Sequence, residues 1–274
     1  MSVNLPSSIV LVGAGKMGQA MLAGWLGHGL DPASVTAIDP LLDEQGRALL
    51  AGKHIRLEAT PEGVAPPEAL ILAVKPQTLE GAAPGLRPLI GPRTLVLSIL
   101  AGKRISDLAH RLPQGALIVR AMPNTPAAVG RGISALVAGR GVTERERALA
   151  GALLGCVGKV EWLEDEGLID AVTAVSGSGP AYVFLLVEGM AAAGARAGLP
   201  ADLSLRLARA TVEGAGELLF REAGTDAATL RRNVTSPGGT TAAALEALMA
   251  DDGLAPLMER AVEAAARRAR ELAG

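Results

Sequence analysis

Aromatic residues are nearly absent: two Phe, one Tyr and two Trp stand in 274 residues. Any core must therefore be built from Ala, Leu, Val and Ile, and the base-stacking platforms of single-strand nucleic-acid binders are missing. An excess of one charge is lacking as well. The formal net charge is −2, which leaves no electrostatic footprint for nucleic acid, and no nucleic-acid partner is expected. Cysteine occurs once, at Cys156, so an intrachain disulfide is excluded. It lies in the apolar run Leu153-Leu154-Gly155-Cys156-Val157 and reads as a buried structural thiol. This usage fits a reducing, cytoplasmic setting. Residues 1–8 carry no basic region ahead of an apolar run, so no secretory signal is expected. The most membrane-like stretch, residues 181–199, contains Glu188 and Arg196. It reads as a buried helix, and no membrane partner is expected. No residue is assigned to a metal.

What is abundant is apolar or small. Hydrophobic residues make up 49% and Gly occurs 34 times. In the first half, short apolar runs fall at 9–12, 35–38, 69–74, 94–98 and 117–120. Such runs, with amphipathic helical stretches such as 17–26 and 43–51 between them, predict a parallel sheet covered on both faces. The pattern is that of a doubly wound α/β domain. Residues 133–138 and 160–162 add two further strands, with a helix over 143–157 between them. Beyond about Glu164 only helical spacing remains, over 181–197, 201–222, 240–250 and 254–272. The predicted organisation is a dinucleotide-binding domain over 1–163 and a helical dimerisation and substrate domain over 164–274. The second half is too Ala-rich to bury its helices well alone, which points to pairing with another copy.

Gly13-Ala14-Gly15-Lys16-Met17-Gly18 follows the first predicted strand and opens a helix. In that place the spacing is a dinucleotide fingerprint. The first Gly permits the tight turn, the second lets backbone approach a pyrophosphate, and the third permits close helix–strand packing. Asp39 ends the second strand, where a carboxylate suits the adenosine ribose hydroxyls and repels a 2′-phosphate. Arg47 is the nearest following Arg. Ala73-Val74-Lys75-Pro76 and Ile99-Leu100-Ala101 stand at the C-terminal ends of the next buried strands, the edge at which open α/β sheets bind ligands. Met122-Pro123-Asn124-Thr125-Pro126 follows in the same style, with Asn124 and Thr125 placed to reach the nicotinamide end.

A second anion cradle lies far along the chain. Ser236-Pro237-Gly238-Gly239-Thr240-Thr241 opens a helix, so backbone N–H groups and hydroxyls are free to hold a small carboxylate. Ser176-Gly177-Ser178-Gly179-Pro180 opens another helix, which Ser178 is placed to cap. Residues 160–274 contain no Lys and no His. The histidines, His28, His54 and His110, lie away from the sheet's ligand edge. A ketone reductase needs a positioned acid for the alkoxide it forms, and none is evident. An imine relaxes that demand, because an iminium is already protonated when it accepts hydride. Two other readings share the plan. A β-hydroxyacid dehydrogenase resembles its relatives in using a Lys on the helical domain, which is missing here. A non-catalytic nucleotide-sensing dimer has no need of a carboxylate cradle.

Taken together these blocks resemble the pyrroline-5-carboxylate reductase family. The likeness runs through residues 13–18, 73–76, 120–127, 168–182 and 233–241, and the last two blocks are long and specific. It implies reduction of L-1-pyrroline-5-carboxylate, a small cyclic imine carboxylate, to L-proline with NADPH or NADH. It also implies a Rossmann domain followed by an interlocking helical dimerisation domain, hence a homodimer or a larger assembly of dimers. By position, Ala73 to Pro76 and Ile99, Leu100 and Ala101 match cofactor contacts. Asn233, Val234, Gly239, Thr240 and Thr241 match the substrate loop, with Thr241 as the catalytic contact to the ring nitrogen. Glu166 matches an acidic residue near the substrate. Asp39 departs from the family, which often has a small polar residue there. The resemblance implies NADPH, whereas Asp39 favours NADH.

Overall fold

Strands Ile9–Val12 (β1), Val35–Ile38 (β2), Arg56–Glu58 (β3), Ala69–Leu72 (β4), Leu95–Ser98 (β5), Leu117–Met122 (β6), Gly132–Ala138 (β7) and Gly158–Leu163 (β8) form one sheet in the computed structural model. The structure describes residues 5–273; residues 1–4, half of the segment read for a signal, lie outside it, as does Gly274. The strand order is β3-β2-β1-β4-β5-β6-β7-β8. Every residue of β1, β4 and β5 is buried, as expected when helices cover both faces.

The helices of this half are Lys16–Gly27 (α1), Glu44–Gly52 (α2), Leu79–Leu86 (α3), Ile105–Arg111 (α4), Glu144–Gly155 (α5) and Ile169–Val172 (α6). On one face, Met21, Leu22 and Trp25 of α1 and Leu149 and Leu153 of α5 pack on Ile9, Leu11 and Ile71. The Trp25 indole N–H donates to the Leu153 carbonyl at 2.9 Å, so the largest core side chain keeps its polar atom paired. On the other face, Leu79, Ala83 and Leu86 of α3 and Leu108 of α4 pack on Val10, Leu70 and Val96.

The structure departs from the sequence expectation in several places within this half. The expected strand at 69–74 ends at Leu72, leaving Ala73 and Val74 past the sheet. β3 was not expected; it is a short polar edge strand paired only to β2. β7 runs antiparallel to β6, not parallel. The connection holds only a 3₁₀ turn, Thr125–Val129, whereas a parallel return needs a crossover of about a dozen residues or more.

Contacts divide the chain into two compact units, one of Met1–Gly177 with Ala266–Gly274 and one of Ser178–Ala265. The second contains Gly179–Arg196 (α7), Ala201–Arg221 (α8), Ala227–Asn233 (α9), Thr240–Leu248 (α10) and the start of Leu254–Ala273 (α11). Helices α7 and α8 meet at Gly194 and Ser204. The Ser204 hydroxyl donates to the Ala191 carbonyl at 2.7 Å, and a Cβ at Gly194 would overlap the Ser204 Oγ. Ala208 is the one buried hydrophobic residue of this unit among the described residues. The expectation of a buried helix at 181–199 is corrected: no residue of α7 is buried, and Phe184 and Leu185 are 62% and 65% exposed. A helical hairpin mates along one face only, so its other apolar faces stay open. Residues 166–196 pass the length and hydropathy criteria for a membrane span, as core helices of other proteins also do.

Candidate active site

The glycine-rich turn is held by sterics at two of its three glycines. Gly13 has φ +94°, and a Cβ there would lie 2.6 Å from the Ala73 carbonyl oxygen. Its N–H donates to the Ile38 carbonyl at 2.9 Å, tying the turn to β2. A Cβ at Gly18 would overlap the Gly13 carbonyl. Gly15 differs: as N-cap of α1 it has φ −68° and ψ −170°, open to any residue, and a Cβ there meets nothing within 4 Å. The space in front of Gly15 is therefore free. No side chain caps α1, so its first-turn amides are available to an anion. Gly15 and Lys16 are exposed, Ala14 and Gly18 buried, and Met17 packs on the core.

Asp39 stands half-buried past the end of β2. Its Oδ2 accepts from the Ala14 N–H at 2.9 Å and its Oδ1 from the Leu41 N–H at 3.0 Å. Arg47 does not face it. The Arg47 guanidinium donates to the carbonyls of Leu42 at 2.8 Å and Pro40 at 3.2 Å, bracing the loop after β2. Beside these groups lies a cleft of about 770 Å³, lined by Gly13, Gly15, Lys16, Asp39, Ala73, Val74 and Lys75. Leu42, Leu49, Pro61 and Leu86 give the cleft an apolar wall. Sequence reasoning missed that wall; its one local signal was Leu49, placed on the outer face of the helix that follows Asp39. An open Gly15, free helix amides, an anchored carboxylate and an apolar slot fit a dinucleotide.

Ala73 donates its N–H to the Val12 carbonyl at 2.8 Å. Lys75 is exposed and precedes the 3₁₀ turn Pro76–Thr78. Ile99 and Leu100 follow β5, with Leu100 buried and Ala101 exposed. These three stand at the next strand end and do not line the cleft. Asn124 is committed to protein rather than open to ligand. Its Oδ1 accepts from the Ile133 N–H at 2.9 Å and its Nδ2 donates to the Ser176 carbonyl at 3.2 Å. Arg120 was missed by the sequence reading. It lies 3% exposed in β6, and its Nη1 donates to Glu166 Oε1 at 2.8 Å.

In the second unit, α9 ends at Asn233, Val234 caps it, and Gly239 is the N-cap of α10. Gly238 has φ +69°, which turns the loop. No side chain caps α10, so the amides of its first turn, from Thr240 and Thr241 onward, have no intrahelical partner. Asn233, Val234 and Thr240 are exposed, and Gly239 and Thr241 half-buried. Ser178 makes no cap bond to α7, contrary to expectation. It continues in helical conformation from the π-turn Thr173–Gly177, so its side chain is not set as a cap.

A doubly wound sheet with this turn, this acid and this cleft defines a nicotinamide-dinucleotide-dependent oxidoreductase. Residues 166–272 match the family model "Pyrroline-5-carboxylate reductase dimerisation", and residues 8–102 match "NADP oxidoreductase coenzyme F420-dependent". The chain is 41% identical to a pyrroline-5-carboxylate reductase of Pseudomonas aeruginosa over 267 residues, 97% of this chain and 96% of that one. It is 39% identical to that of Arabidopsis thaliana over 95% of this chain and 94% of that one. Among solved structures, a pyrroline-5-carboxylate reductase from Coxiella burnetii superposes with TM-score 0.91 at 31% identity, covering 98% of this chain and 99% of that one. The Plasmodium falciparum enzyme, solved with NADP bound, gives TM-score 0.82 at 26% identity over the whole of both chains. The chain belongs to the pyrroline-5-carboxylate reductase family.

Proposed function

We propose that this chain reduces L-1-pyrroline-5-carboxylate to L-proline, the last step of proline biosynthesis, as a cytoplasmic homodimer. The observation that carries the reading is the coexistence of a dinucleotide cleft at Gly13–Asp39 with a second anion cradle, the uncapped N-terminus of α10. The dinucleotide, when bound, supplies the hydride. Gly13 to Gly18 and the α1 amides hold its pyrophosphate, and Asp39 its adenosine ribose. Ala73 to Pro76 and Ile99 to Ala101 border it along the strand ends. The amides of Gly239, Thr240 and Thr241, with Asn233 and Val234 beside them, hold the substrate carboxylate. Thr241 hydrogen-bonds the ring nitrogen, and Glu166 contacts the substrate. Catalysis is chiefly positioning. In this reading residues 1–163 bind dinucleotide and residues 164–274 serve dimerisation and substrate.

NADH serves at least as well as NADPH in this reading. The support is the pinned Asp39 carboxylate and the commitment of Arg47 to backbone carbonyls, which leaves a 2′-phosphate facing an anion. A second copy of the chain is supported by the single buried hydrophobic residue of the Ser178–Ala265 unit. Absorbance of the reduced cofactor tests the function. It should fall on adding pyrroline-5-carboxylate and stay constant without it. Turnover of 3-hydroxy acids with none of the imine would contradict the proposal.

A further inference from the structure

Three residues at the end of β6 reach the segment 166–177. Arg120 Nη1 donates to Glu166 Oε1 at 2.8 Å. A Cβ at Gly177 would come within 3.1 Å of the Met122 terminal methyl, and Asn124 Nδ2 binds the Ser176 carbonyl. Arg120 and Met122 share one face of the strand by the two-residue period. Arg120 is buried to 3% exposure, so its charge must have a partner there. Glu166 supplies it through a single oxygen. The same Oε1 accepts from the Ile105 N–H, at the start of α4, also at 2.8 Å. Oε2 receives no donor among the described residues, and the Glu166 side chain keeps 27% exposure.

We propose that Arg120 is a positioning residue for the reaction. Together with the Ile105 amide it pins one oxygen of Glu166 and so aims the other outward at the C-terminal edge of β5 and β6. An ionised carboxylate is an acceptor only, and its free oxygen suits a cationic N–H, as in an iminium or a secondary ammonium. This rests on the function proposed above, in which Glu166 contacts the substrate. A Glu held by a single donor, on a freely turning stem, would not present its second oxygen in a fixed direction. The two donors from β6 and α4 remove that freedom.

Arg120→Met tests this, since it removes the guanidinium and leaves an unbranched chain in its slot. Catalytic efficiency toward pyrroline-5-carboxylate should fall by about tenfold or more. Calorimetric affinity for L-proline, with oxidised dinucleotide present, should fall in parallel. Dinucleotide affinity without substrate, read by fluorescence titration, should stay within about twofold. In a Glu166→Gln background, Arg120→Met should add no further loss of proline affinity, because the carboxylate it aims is gone. That double variant also removes both charges of the pair together, and serves as the test if Arg120→Met alone does not fold. Unchanged proline affinity in Arg120→Met, equal losses of proline and dinucleotide affinity, or additive losses in the double variant would each overturn the proposal. If the wild type reduces the imine while Arg120→Met behaves like it, the positioning role fails and the function stands. A wild type inert toward the imine removes both.

Discussion

The Ala14 amide donates to the Asp39 carboxylate at 2.9 Å, so the glycine-rich turn and the tip of β2 are bonded to each other beside the cleft. The bond orients Asp39 before any ligand arrives. Arg47 cannot neutralise it without abandoning its bonds to Leu42 and Pro40. A like-charge contact at protein-surface dielectric costs on the order of a few kcal/mol. Asp39→Ser should therefore shift the kcat/KM ratio toward NADPH by roughly tenfold or more, about 1.4 kcal/mol per tenfold. A wild type strongly selective for NADPH, with a ratio indifferent to this change, would show that Asp39 does not meet the ribose.

Gly15 and Gly18 separate binding from folding. At Gly18 an added methyl overlaps the Gly13 carbonyl, so Gly18→Ala should lower the melting temperature and weaken dinucleotide binding together. At Gly15 the same methyl meets no protein atom within 4 Å. Gly15→Ala should leave stability within about 0.5 kcal/mol and still weaken dinucleotide binding. Paired melting and titration curves check both variants. Equal behaviour of the two would contradict the assignment of the Gly15 space to ligand.

Thr241→Ala should lower kcat more than it weakens dinucleotide binding. The loss of one hydrogen bond made in the transition state costs about 1–3 kcal/mol, or about 5–150-fold. Steady-state kinetics with a separate dinucleotide titration reads the difference. An unchanged kcat would remove Thr241 from the mechanism.

Phe184 and Leu185 lie exposed on α7 in the single chain. Replacing both with Glu should halve the mass seen in sedimentation and abolish turnover, while the Rossmann half keeps its dinucleotide affinity. A wild-type monomer that is folded and active would contradict the dimer.

Burial pushes the Cys156 thiol up to about 11. The thiolate is the reactive form, so a thiol reagent at about pH 8 should leave the native protein unlabelled and label the unfolded chain fully. Rapid labelling of native protein would show that this part of α5 opens readily.

Local sequence carried the features that depend on local patterning. The runs at β1, β2, β4, β5 and β6 were legible because strands covered on both faces need unbroken apolar side chains. The turn at Gly13–Gly18 was legible because Gly13 and Gly18 each answer a steric demand and Gly15 keeps the space before the helix open. β3 was not, since Arg56 and Glu58 flank a single Leu at the sheet edge. Nor was α3, where Gly81, Pro84 and Gly85 lower helix propensity and packing of Leu79, Ala83 and Leu86 overrides it. The Arg120–Glu166 pair spans 46 positions. Nothing near Arg120 in sequence signals that a charge in an apolar strand will find its partner beyond β8.

The most direct test follows the hydride. Reduced cofactor carrying deuterium at the transferable position of its nicotinamide ring, mixed with protein and pyrroline-5-carboxylate, should yield L-proline with one deuterium. That label should sit on the ring carbon next to nitrogen that bears no carboxylate. Proline without the label, or no proline while the cofactor is oxidised by a hydroxy-acid or keto-acid partner, would contradict the account.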